Sequence, residues 1–163
     1  MTRVRTRSVL LALGLALIAL VPPARADLNL DHLICVKPRA VVAADRALEL
    51  SRDRLQEMFT SSLRARLPGL RVEELCSNTL VFRVALALRT GEEGRVLGYF
   101  GAARLELLRT AVMTDDMVRT EITVWQTMAL LNGPPGDELT AVRNALNGFL
   151  GAFAGAYQAA GNP

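Results

Sequence analysis

The chain reads as an α+β protein, a two-layer sandwich in which an antiparallel β-sheet of about 4–5 strands carries two helices on one face. Three observations predict it. Apolar and polar residues alternate through three segments between residues 80 and 131, the period of a half-buried strand. Two other segments, over 45–66 and from about 137 onward, repeat apolar residues at helical spacing. Short turns join the three alternating segments, so neighbouring strands run antiparallel.

A first short strand is expected over 30–36, in LNLDHLICV, stopping at Lys37-Pro38, because proline has no N–H for a central ladder. The helix over 45–66 carries Leu48, Leu55, Phe59 and Leu63 on one side and Arg46, Glu49, Arg52, Asp53, Arg54 and Glu57 on the other. Asp45 suits its N-cap, and Pro68-Gly69 ends it. LRVEEL over 70–75 gives a short strand before the polar turn CSNT.

The alternating segments follow. Leu80, Phe82, Val84, Leu86 and Leu88 share one face of the first; Arg83 lies on the other. TGEEG turns the chain, and a long strand over 95–109 places Leu97, Tyr99, Ala103, Leu105 and Leu107 together. Gly98 and Gly101 inside it mark a bend, a bulge or a close approach. In the third, TEITVWQTMALL, strict alternation puts Ile122, Val124, Met128 and Leu130 on the dry face and Trp125 on the wet one. After NGPPGD, Leu139, Val142, Leu146, Phe149, Phe153 and Tyr157 form the second helix's stripe. Its other side is smooth, with Gly148, Gly151 and Gly155, and suits close approach to the first helix or to a second copy of the chain.

The first 26 residues form no part of this domain. MTRVRTR, the apolar run SVLLALGLALIALV and the small-residue site Ala24-Arg25-Ala26 match a secretory signal peptide cut after Ala26. The apolar run is short for a membrane span, which needs about 20 residues, and no later segment is a candidate to cross. One domain over 27–163 remains, expected in the periplasm. Arg3, Arg5, Arg7 and Arg25 leave with the signal, so 15 of the 19 basic residues face all 16 acids. That near-neutral balance gives no basic footprint for nucleic acid. Cys35 and Cys76 in an oxidising compartment are expected to pair, closing a loop of about 41 residues worth about 3–4 kcal/mol by chain entropy.

Signals for chemistry are sparse. His32 is the sole histidine, beside Asp31, and no serine sits in a G-x-S-x-G turn. The acidic pairs Glu73-Glu74, Glu92-Glu93 and Asp115-Asp116 fall at or near turns, and Asp115-Asp116 lacks the D-x-D-x-D-G pattern of a calcium loop. The glycines at 91, 94, 98 and 101 precede no helix N-terminus, as a phosphate loop would. The sequence therefore points to no enzyme, metal or cofactor, but to an exported accessory protein of the bacterial cell envelope.

Its expected contact surface is the sheet face away from the helices, with Trp125, Arg83, Arg104, Glu106, Arg119 and Glu121 meeting a cell-envelope protein. Tryptophan and arginine are the types that most often anchor interfaces. Two alternatives remain at this stage: a carrier holding a small apolar molecule or lipid between helices and sheet, and an enzyme of unrecognised type. A homodimer through Gly148, Gly151 and Gly155 is a further expectation.

Overall fold

The computed structural model describes residues 30–112 and 117–162. The expected signal peptide over 1–26 and Asp115-Asp116 lie outside the described residues. The architecture is the α+β sandwich that periodicity predicts. Strands β1 (Cys35–Ala44), β2 (Arg71–Val72), β3 (Asn78–Thr90), β4 (Val96–Val112) and β5 (Arg119–Gly133) form a five-stranded sheet in the order β2-β1-β3-β4-β5. Helices α1 (Arg52–Arg66) and α2 (Glu138–Ala159) cover one of its faces, α1 over β1 and α2 over β4 and β5.

The three alternating segments form the antiparallel meander β3-β4-β5. The first strand departs from expectation. It begins at Cys35, runs through Pro38 and lies parallel to both of its neighbours, making the sheet mixed. Proline is tolerated there because β2 pairs only with Cys35 and Val36, leaving the rest of that side of β1 a free edge. Gln56 of α1 occupies part of it. Its Nε2 donates to the Pro38 carbonyl at 3.0 Å, and its Oε1 accepts from the Ala40 N–H at 2.7 Å. A helix side chain thus replaces two bonds of a missing strand.

The first helix is shorter than its apolar spacing suggests. Asp45 caps only a 3-10 turn over Arg46–Leu48, accepting from Ala47 N–H at 3.3 Å. Glu49 then takes a left-handed φ of 44°, which breaks the spiral. Ser51 caps α1 proper through Arg54 N–H at 3.2 Å. The expected strand over 70–75 contracts to Arg71–Val72.

The core lies between the layers. Phe82 of central β3 meets Phe59 of α1 at 5.8 Å between ring centroids and Phe149 of α2 at 6.4 Å, so one ring joins the sheet to both helices. Leu80, Val84 and Leu105 from the sheet and Leu55, Leu63, Leu146 and Leu150 from the helices complete it, all buried. Burying such side chains contributes about 1.5–3 kcal/mol each. The Cys35–Cys76 disulfide is formed, with Cα atoms 5.9 Å apart, and ties the start of β1 to the approach to β3. Among the described residues no helix is long and apolar enough to cross a membrane.

Gly98 and Gly101 prove to be close approaches. A Cβ on Gly101 would stand 2.0 Å from the Ala85 carbonyl oxygen, and one on Gly98, at φ 155°, 2.2 Å from that of Gly133. Only glycine lets β4 lie this close to its neighbours.

Candidate docking surface

The face away from the helices is defined by register. Cross-strand partners project to the same side, and Val81 lies opposite Glu106, Arg83 opposite Arg104, and Ala85 opposite Ala102. On the other side of β4, Glu106 lies opposite Gln126, Arg104 opposite Met128 and Ala102 opposite Leu130. These residues alternate with the core set Leu80, Phe82, Val84, Ala103, Leu105 and Leu107, so they form the face turned away from the two helices, here the open face, although Val81 on it is itself fully buried.

At its centre is one acid between two arginines. Glu106 is only 3 % exposed, yet lies on the side that neither α1 nor α2 covers. Its Oε1 accepts from Arg83 Nε, and its Oε2 stands 3.1 Å from Arg104 Nη2. Both arginines are partly solvated. Two charge-assisted contacts offset the cost of taking the carboxylate out of water. Arg83 and Arg104 are cross-strand neighbours of like charge, which repel when directly opposed; the shared carboxylate relieves that repulsion.

Beside this group the open face is apolar. Phe100 is 53 % exposed, Met128 64 % and Leu130 78 %. The expected site residues are therefore only partly gathered. Arg83, Arg104 and Glu106 come together. Arg119 and Glu121 sit on the same face by register, but opposite Val112 and Thr110, where the β4–β5 hairpin runs on past the first residue of β3. They do not join the central ion pairs.

Trp125 is a correction. It faces the helices, not the open side, is 8 % exposed, and meets Phe153 of α2 edge-on at 5.1 Å. The cause is a β-bulge: Leu107 pairs with Trp125 and Leu108 with Thr123, leaving Val124 without a partner. One extra residue reverses the facing of everything beyond it. Ile122 and Trp125, opposed by strict alternation, consequently share a face, while Met128 and Leu130 turn outward. Strict alternation assigns Met128 and Leu130 to the core and does not single out Phe100 as a surface residue. Its alternation with buried Tyr99 was the available signal.

The other candidates are dispersed. His32 is exposed in a turn at φ 62°. Glu73 pairs with Arg71 at 3.4 Å and Glu74 with Lys37 at 3.1 Å, both at the surface. Burial raises the Tyr99 and Tyr157 pKa values above the ordinary phenol range, and nearby Glu138 and Asp137 add to the effect at Tyr99. On α2, a Cβ added at Gly151 would stand 3.1 Å from Arg66 Nη1 of α1, whereas Gly148 and Gly155 have open space before them. The small-residue side thus serves the helix crossing at one glycine and faces outward at two. A cleft of about 410 Å³ opens at the end of the sandwich, among Leu48, Leu50, Leu55, Leu88, Val96 and Leu139, with Arg54, Glu49 and Glu138 at its polar side.

Comparison with known proteins finds no matching family model and no match among curated proteins. Solved structures of similar arrangement include the PelC dodecamer from Paraburkholderia phytofirmans, at 14 % identity and a TM-score of 0.46, covering 71 % of this chain and 84 % of that one. Another is a putative neuraminyllactose-binding hemagglutinin homolog from Helicobacter pylori, at 15 % identity and a TM-score of 0.33, covering 76 % and 80 %. The rare lipoprotein B from Shewanella oneidensis is similar at 12 % identity and a TM-score of 0.24, covering 77 % and 89 %. Likeness at this level transfers no function to the chain.

Proposed function

We propose that this is an exported, non-catalytic accessory protein of the bacterial cell envelope, which docks a protein partner through its open sheet face. The observation that carries the reading is the composition of that face. Exposed Phe100, Met128 and Leu130 adjoin a fixed Arg83–Glu106–Arg104 group. Exposed apolar area clustered around oriented charge is the makeup of a specific interface, the apolar part giving affinity and the charges register. The signal-like leader and the disulfide support export to an oxidising compartment.

The carrier alternative has one observation in its favour, the leucine-walled cleft at the sandwich end. It opens at one end of the sandwich, where Leu55 of α1 and Leu139 of α2 face Leu88 of β3 and Val96 of β4. A native mass spectrum of the protein drawn from the envelope separates the readings. Docking gives a protein–protein complex that Phe100→Asp abolishes. A mass increment of small-molecule size, removed by Leu88→Arg in the cleft and untouched by Phe100→Asp, would replace docking with the carrier reading.

A further inference from the structure

Strand β5 forms one edge of the sheet, and no described backbone group outside the sheet bonds to it. Such an edge presents a free row of N–H and C=O groups, which sheet proteins usually protect with charges, prolines or a covering element. The stretch over 125–133, WQTMALLNG, contains no charge and no proline. It is bounded by the bulge at Val124 and by Pro134. Those two interruptions are equidistant from Ala129.

We propose that β5 pairs antiparallel with β5 of a second copy about a two-fold axis at Ala129, joining two five-stranded sheets into one. Two-fold symmetry requires residues on either side of the axis to suit each other, and here they do. Met128 falls opposite Leu130 of the second copy on the open face, and Gln126 falls opposite Asn132. On that face apolar meets apolar and amide meets amide; on the helix side Thr127 falls opposite Leu131 and Trp125 opposite Gly133, and no like charges are opposed on either. Pairing that stops at Pro134 in one copy stops at the bulge in the other, so both limits act on the same register.

The helix layer fits the same arrangement. Because α2 lies over β4 and β5, its axis stands roughly half a strand spacing inside the edge. With strands spaced ~4.8 Å, two such helices come to about 10 Å apart, within the range at which helices pack. Gly151 looks toward α1 through Arg66; the flank of α2 turned the other way carries Ala141, Ala145, Gly148 and Ala152. Small side chains there admit a second helix. The small-residue side of α2 thereby becomes the margin of an interface whose centre is the strand edge.

The pairing is independent of the partner reading, since Met128 and Leu130 keep their side chains on the open face in the dimer. Light scattering on the oxidised protein is expected to give twice the chain mass, and Met128→Glu alone and Leu130→Lys alone to halve it. Mixing the two variants is expected to restore the doubled mass as a heterodimer, because the Glu of one copy then faces the Lys of the other. A monomeric wild type, or a dimer indifferent to both substitutions, overturns the proposal; variants that dissociate but fail to re-pair overturn the axis at Ala129. Should either variant misfold, hydrogen exchange on the wild type decides: amides over 125–133 must gain protection with concentration, and uniform exchange would refute the pairing. Phe100→Asp should leave the mass unchanged, so failure of docking and failure of pairing are told apart.

Discussion

Trp125 meets Phe153 edge-on at 5.1 Å between ring centroids, and that contact locks β5 beneath α2. An aromatic pair in this geometry contributes about 0.5–1.5 kcal/mol beyond its buried area. Trp125→Ala is therefore expected to cost about 3–5 kcal/mol, read as a fall in the midpoint of chemical denaturation. Emission from the folded protein should be blue-shifted and poorly quenched by iodide; a red, readily quenched emission would place the ring in solvent.

The contact also shows where sequence pattern stops being sufficient. Alternation identified the faces of β3 correctly from Leu80 to Leu86, because no bulge interrupts that stretch. In β5 the same rule inverted Trp125, Met128 and Leu130. A bulge depends on how two strands meet, and Val124 carries no mark of it. Pro38 misled for a similar reason: its cost depends on whether a neighbour needs its N–H, which is a property of the sheet. The disulfide and the Arg83, Glu106 and Arg104 positions were legible, since they follow from a pair of cysteines in the chain and from uninterrupted parity.

Gly101→Ala should be among the most damaging single-methyl additions to the chain. Its Cβ would fall on the Ala85 carbonyl, a backbone atom that cannot step aside without opening the β3–β4 ladder. A loss of about 2–3 kcal/mol is expected, measured by urea denaturation. A neutral result would mean that β4 lies farther from β3 than described.

Arg83→Ala and Arg104→Ala are each expected to cost about 1 kcal/mol, since the remaining arginine still serves Glu106. The double variant leaves a buried carboxylate without a cation and should lose more than the sum of the two. A double-mutant cycle tests this; strict additivity would show that the two arginines act separately.

Replacing Cys35 and Cys76 together by serine should lower stability by about 2–4 kcal/mol, chiefly by releasing a loop in the unfolded chain. The far-ultraviolet dichroism of the variant should stay native, because the core between Phe59, Phe82 and Phe149 does not include the bridge. Loss of the fold itself would show that the bridge does more than restrict the unfolded chain.

The claim that the open sheet face meets a partner is tested most directly by photo-crosslinking in intact exporting cells. A photoreactive phenylalanine analogue replaces Phe100 on the open face or, as a control, exposed Glu57 on the outer side of α1. A discrete adduct with one envelope protein from position 100, and none from position 57, is the result the account predicts. Adducts from position 57 alone, or none from position 100, would contradict it.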